Sequence, residues 1–363
     1  MKFRFLSCIF FFLPLLAVFA SGNSEKMGAD PNDAQDMGLE YSVGSNSAAG
    51  FSPGGGWGEA GINGRDSSSA SSLAATHVSF LPLTEQQIQA ERILRAVAEA
   101  YPDRIGGVEF REGESGPEGD WAIQVYGEWF YYADGRFLPE SLRDKADEYD
   151  PLPFYRYTEE LPPWRAATPE ESQRMREQVA LLNANPAKRS PHFFDALWRS
   201  HNRDEAWEHV KQIRFLGTPV LVHYSILTNL SLVEEQIMRV SKTNRAVKQW
   251  IDNLGTVGGW SWRDIALTES RSFHSYGAAI DLLPDSYGGL ETYWVWAART
   301  NSEWWNIPYT KRIHPPNEVI KVFESFGFVW GGKWRYFDTM HFEYRPEILI
   351  LNNMRPMDLR DLR

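Results

Sequence analysis

Three features of this sequence predict a chain of mixed helix and strand. A capped amphipathic segment is followed by β-rich runs between residues 84 and 132. Helical patterns then run across 168–252, with a short apolar strand-like run inside them. Beyond Gly255 the texture changes to Gly, Trp and short strand-like runs. With 363 residues, 43% of them hydrophobic, the chain can bury one large core or two smaller ones.

The first segment reads as an export signal. Lys2 and Arg4 precede an apolar run from Phe5 to Ala20, and small residues follow at Ala20, Ser21 and Gly22. This charged, apolar, small-residue order predicts a signal peptide over 1–20, cleaved near Ala20. The run is shorter than the roughly 20 residues a span needs, so no stable membrane span is expected in the mature chain; an uncleaved anchor is the alternative. The expected location is the periplasm or cell envelope. The single cysteine, Cys8, lies inside this signal. Disulfides and thiolate metal ligands are thereby excluded from the mature chain, leaving His, Asp and Glu as the available ligands.

Residues 21–75 are rich in Gly, Ser, Asn, Ala and Asp and predict a disordered, low-complexity tether. A small α/β accessory lobe is expected over 76–165. In it, Thr84 caps a helix over Glu85–Ala100, with Ile88, Ile93, Leu94, Val97 and Ala98 on its apolar face, and Gly107–Phe110 and Trp121–Tyr132 read as strands. Thr168-Pro169-Glu170-Glu171 opens the next helix, with a cap, a first-turn proline and acids at the positive end. Further helices are expected across 192–212 and 229–252, a strand at Pro219–Val222, and a last helix from Pro316 to Phe326 ending at Gly327.

Charge excludes one partner class. The net charge is −11, from 37 basic and 48 acidic residues without a basic block, so nucleic acid is not an expected partner. Nothing in the pattern defines an oligomeric state.

Two segments carry chemistry. Ser272-Phe273-His274-Ser275-Tyr276-Gly277-Ala278-Ala279-Ile280-Asp281 and Asp338-Thr339-Met340-His341 supply two imidazoles and two carboxylates, the inventory of a catalytic zinc site with one carboxylate left to accept a proton. Gly277 and the small residues after it suit a tight turn into a strand starting at Ile280. A carboxylate beside such apolar neighbours needs a partner, and a metal is one. The alternative is a turn aspartate beside a surface histidine. Asp338 is the candidate base if His341 binds metal. Glu343 is its rival, or a partner that orients His341 from the same strand face. Arg263, between Trp262 and Asp264, is the best candidate for oxyanion stabilisation, with water excluded by the flanking tryptophans. A salt bridge to an acid is its alternative, and Arg271 competes for the role. The other histidines, His77, His192, His201, His209, His223 and His314, lack a spaced carboxylate partner and are not expected to be ligands.

The pattern Ser272-x-His274-x-x-Gly277-x-Ala279-x-Asp281, then Trp330-Gly331-Gly332-x-Trp334 and Asp338-x-x-His341-Phe342-Glu343, resembles the D-alanyl-D-alanine carboxypeptidase family of zinc peptidases. The resemblance is closest to its L-alanyl-D-glutamate endopeptidase branch, because Asp338 stands where the carboxypeptidases carry Glu. It spans roughly residues 205–350, within an expected peptidase domain over 166–355. It implies Zn2+ held by His274, Asp281 and His341, Asp338 as base, Arg263 on the substrate carbonyl, and Ser272 as a supporting residue. The implied fold is α+β, a small antiparallel sheet bearing the ligands with flanking helices, and the implied substrate is the stem peptide of peptidoglycan. Lys333 departs from the acidic or polar residue usual there. The Trp-rich loop between Asp281 and Pro315 is long and is expected to shape the substrate groove. A non-catalytic cell-wall or envelope-binding protein on the same fold is the alternative function.

Overall fold

The computed structural model describes residues 84–111 and 119–357. The expected signal peptide and tether lie outside the described residues, as do the first residues of the expected lobe and His77.

Helix α1 (Glu85–Ala100) begins at a capping box. Thr84 accepts from the Gln87 N–H, and the Gln87 side chain accepts from the Thr84 N–H. Its buried stripe is Ala90, Ile93, Leu94, Ala96 and Val97, whereas Ile88 is exposed. A four-stranded antiparallel sheet follows in the order β1 (Ile105–Arg111), β2 (Asp120–Val125), β3 (Glu128–Tyr131), β4 (Leu138–Pro139). The run Trp121–Tyr132, expected as one strand, is therefore a hairpin. Tyr126 and Gly127 both take left-handed backbone, at φ 47° and 94°, which is the two-residue turn that matches strand twist.

Helix α2 (Pro169–Ala184) opens with the reciprocal Thr168–Glu171 cap. The helical pattern expected across 192–212 divides into α3 (His192–Trp198) and α4 (Arg203–His209), because Arg199 turns left-handed at φ 50°. The chain then runs as a hairpin of β5 (Val210–Phe215) and β6 (Thr218–His223). The 229–252 pattern is likewise two helices, α5 (Leu227–Ser241) and α6 (Arg245–Asp252), the second capped by Asn244.

The second sheet has the order β7 (Leu254–Gly258), β8 (Ala279–Pro284), β10 (His341–Tyr344), β9 (Phe328–Trp330), every pair antiparallel. Helices α7 (Trp294–Ala297) and α8 (Asn317–Ser325) lie between its strands in sequence, and α9 (Pro346–Leu351) follows. Helices with antiparallel sheets make the fold α+β, as expected. One contiguous core joins α1, both sheets and α9, with Phe323 stacked on Phe342 at 4.0 Å near its centre. No helix among the described residues is long and apolar enough to cross a membrane.

Candidate metal centre

Strands β8 and β10 are neighbours, and their register sets Asp281 directly opposite His341. His274 comes from a 3-10 turn, Phe273–Tyr276, whose start is capped by the Ser272 hydroxyl accepting the His274 N–H. Gly277 ends this turn at φ 67°, and a Cβ there would lie 2.7 Å from the His223 backbone nitrogen. This left-handed close approach feeds the chain straight into β8 and brings His274 onto Asp281.

Three donor atoms converge. His274 Nε2 lies 3.2 Å from Asp281 Oδ2 and 3.2 Å from His341 Nδ1, and His341 Nδ1 lies 3.0 Å from Asp281 Oδ1. Zinc bonds of about 2.0–2.2 Å at tetrahedral angles separate donors by roughly 3.3–3.6 Å, so this triangle fits the ion with a small expansion. The far nitrogens fix the tautomers. His274 Nδ1 donates to the Gly259 carbonyl at 2.8 Å, which leaves Nε2 of the neutral ring as a lone pair. His341 Nε2 faces Glu343 Oε2 at 3.3 Å. Both imidazoles and the Asp281 carboxylate can thus turn lone pairs to one point, an arrangement that suits a cation. Among the described residues, these three side chains form the group able to hold a metal ion.

The electrostatics select positive charge at that point. Burial opposes ionisation of Asp281, but His274 and His341 outweigh it and hold the carboxyl far below the usual carboxylate range. Burial likewise opposes charge on His341, but hydrogen bonds to Asp281 and Glu343 raise it to about 10. In the absence of metal, a proton on His341 provides the positive charge.

Asp338 differs. Burial, then the Asp281 charge, push its carboxyl up to about 7, against the lowering effect of His341, the Met340 N–H and Arg263. Its Oδ1 is buried with no hydrogen-bond partner. An unpaired buried acceptor beside a cation site fits a carboxylate positioned to receive a proton.

Glu343 points away from the donor triangle, between His341 and Arg345. Arg345 is completely buried. It also pairs with Glu347, donates to the Pro153 carbonyl at 2.9 Å and lies over the Phe273 ring.

Arg263 is exposed, with its main chain pinned by Ser275. The Ser275 hydroxyl accepts from the Arg263 N–H at 2.9 Å and donates to its carbonyl at 2.7 Å. The neighbouring tryptophans do not enclose it. Trp260 packs on Trp207 and donates to the Ser275 carbonyl, and Trp262 lies under the guanidinium of Arg271. Arg271 is engaged elsewhere, with Asp195 at 2.5 Å. Burial raises Asp195 to about 6 despite that partner.

Two expectations change. Of the loop tryptophans Trp294, Trp296, Trp304 and Trp305, Trp294 and Trp304 do not line a groove but form a satellite core with Phe337, Ile307 and Met175 of α2, Trp305 packs against it, and Trp296 is exposed. His201 does have a carboxylate partner, Glu205 at 2.9 Å, in an exposed i,i+4 pair. His223 is buried between the Trp198 carbonyl and the Ser225 hydroxyl. Lys333 reaches Glu324 at 2.5 Å and the carbonyls of Thr158 and Glu159, a tie to the N-terminal region that accounts for a lysine at this position.

Sequence reasoning missed Gly259, Ser275 and Arg345. Gly259 acts through its main-chain carbonyl and Ser275 through a hydroxyl bonded to main chain, and neither leaves a recognisable motif. Arg345 did leave a signal, an arginine beside the buried run His341–Glu343.

Residues 266–344 match the model of a family described as D-alanyl-D-alanine carboxypeptidase. That segment contains His274, Asp281, Asp338, His341 and Glu343, and excludes Arg263. Donor cluster and match together point to a hydrolase of the metallopeptidase class. The particular likeness is to those carboxypeptidases, over this segment alone. Residues 93–154 match a domain of unknown function, DUF8518. No curated protein and no solved structure matches the chain.

Proposed function

We propose that the chain is an exported zinc peptidase that hydrolyses peptide bonds in peptidoglycan stem peptides, of the L-alanyl-D-glutamate endopeptidase or D,D-carboxypeptidase type. The observation that carries this reading is the convergence of His274, Asp281 and His341 within 3.0–3.2 Å, next to the unpaired Asp338 oxygen. Asp338 in place of Glu favours the endopeptidase. The reading extends to the organisation of the chain: a signal peptide over 1–20, a tether over 21–75, an accessory lobe over 76–165 and the peptidase domain over 166–355.

His274, Asp281 and His341 would hold zinc, which supplies a Lewis acid and an acidified water. Asp338 receives the proton of the attacking water at Oδ1 and returns it to the leaving amine. Arg263, exposed on a pinned main chain, is the group that would meet the developing oxyanion. Glu343 accepts from His341 Nε2 and keeps Nδ1 turned toward Asp281, while Arg345 holds Glu343. Ser272 acts one step further out by fixing the turn that carries His274.

The test is digestion of purified peptidoglycan by zinc-loaded protein, with products identified by mass, in parallel with chelator-treated protein. Zinc-dependent release of peptides cut after L-alanine is expected. Release of terminal D-alanine alone would select the carboxypeptidase. Identical products with and without chelator would refute the assignment.

A further inference from the structure

A cavity of about 160 Å³ lies beside the metal centre. One wall is Ile265 and Ser270, on the loop that directly follows Arg263 and is closed by a bridge between Asp264 and Arg271. A second wall is Trp334 and Tyr336, on the segment leading into Asp338, with the Trp334 ring 5.5 Å from that of His341. Phe273, Glu343 and Arg345 also line it: Phe273 precedes His274, Glu343 contacts His341, and Arg345 holds Glu343. The cavity is therefore walled in part by the two loops that carry Arg263 and Asp338, although neither of these residues nor the three donors lines it.

Part of the remaining lining comes from outside the segment similar to carboxypeptidases, from Leu152, Pro153 and Tyr155 and from residues 189–194, including Pro191 and Phe194. These walls are fastened to the centre. The Tyr155 hydroxyl accepts from Trp334 Nε1 at 2.9 Å, Pro153 accepts from Arg345, and the Arg189 N–H donates to the Ser270 hydroxyl at 3.1 Å.

The chemistry of the lining selects an apolar guest. Its charged groups are engaged: Arg271 with Asp195, Arg345 with Glu343 and Glu347, and Arg189 with the Pro151 carbonyl. What remains is mainly aromatic and aliphatic surface. A cavity of roughly 150 Å³ lined in this way accommodates a benzene ring.

We propose that this cavity is a specificity pocket, walled in part by residues 152–155 and 191–194, for an aliphatic or aromatic side chain of the substrate next to the cleaved bond. This rests on the metallopeptidase reading of the centre alone. It replaces the stem-peptide substrate, whose side chains at the cleaved bond are alanine or acidic, with a peptide carrying a larger apolar side chain.

The experiment uses the zinc-loaded full chain and synthetic peptides carrying Ala, Leu or Phe, in L and D forms, on either side of the cleaved bond. At one of these positions, Leu and Phe should raise kcat/KM over Ala by roughly ten- to a hundredfold. Ile265→Trp, at an exposed rim position, should bring that ratio toward one while zinc content stays at that of the unaltered protein. Equal cleavage of Ala, Leu and Phe peptides, or a preference that survives Ile265→Trp, overturns the pocket and leaves the peptidase reading intact. Cleavage of no peptide overturns the peptidase reading, and a binding arm then judges the pocket alone. In that arm N-acetyl-L-phenylalaninamide is titrated and followed by NMR. Saturable binding lost in Ile265→Trp supports the pocket, and absence of binding overturns it.

Discussion

Asp338 is the residue where catalysis and stability should oppose each other. Burial and the nearby Asp281 charge raise its carboxyl from 3.8 to about 7. Between about pH 4 and 7 the folded state therefore binds more protons than the unfolded state. The stability carried by that proton is fully present below about pH 4 and is lost as pH rises through 7. Each pKa unit corresponds to about 1.4 kcal/mol, so the ionised carboxylate costs the metal-free fold at most about 4 kcal/mol above pH 7. Asp338→Asn keeps the shape and cannot ionise. In chelator-treated protein it should leave stability unchanged near pH 4 and raise it by about 2–4 kcal/mol at pH 8, the lower figure allowing for residual solvation. Urea unfolding at the two pH values measures the difference.

The same variant should retain zinc and lose a factor of roughly 10²–10⁴ in peptide hydrolysis, the usual contribution of a positioned base. Zinc content is read by elemental analysis and hydrolysis by product mass. Loss of zinc together with activity would make Asp338 a ligand or a structural support. Equal stability of the two proteins at pH 8 would show that the carboxylate is not confined beside Asp281, and the argument for it as base would fall with that.

Three further outcomes follow from the geometry. His274→Ala removes one corner of the donor triangle and should abolish stoichiometric zinc, measured after dialysis against trace metal. Glu343→Ala removes the acceptor of His341 Nε2 and should weaken zinc binding by roughly 10–100-fold in a chelator competition, with the other ligands in place. Gly277→Ala forces an L-residue to φ 67° and a Cβ to within 2.7 Å of the His223 nitrogen, so a loss of at least about 1–2 kcal/mol in denaturant stability is expected. A Gly277→Ala protein as stable as the parent would show that the turn relaxes freely.

The turn and strand that carry His274 and Asp281 were legible because their information is local. Gly277 signals a left-handed turn, Ile280–Leu283 a buried strand, and the capping boxes at Thr84 and Thr168 are written in four residues each. The errors fell where a run of uniform character hid a reversal. Trp121–Tyr132 is aromatic and apolar apart from Gln124 and Glu128, and Gly127 marks the hairpin inside it. The tryptophans of the 285–313 loop mark buried surface, but nothing local says whether that surface faces a ligand or α2, and the answer lay in Met175 more than a hundred residues away.

What the sequence could not disclose is how far the centre depends on residues outside its own motif. His341 is oriented by Glu343, Glu343 by Arg345, and Arg345 by Glu347 and the Pro153 carbonyl. Arg345 has no contact with solvent, so each of these partners offsets the desolvation of a full charge. A buried arginine that lost the Pro153 carbonyl would keep its two carboxylates but leave a guanidinium N–H without an acceptor, and the least costly relief is a shift of Glu343. The segment around Pro153 therefore bears on the tautomer of a ligand it never touches. That long-range coupling is a reason to expect the N-terminal region and the His/Asp centre to work as one unit, with the apolar cavity at their junction.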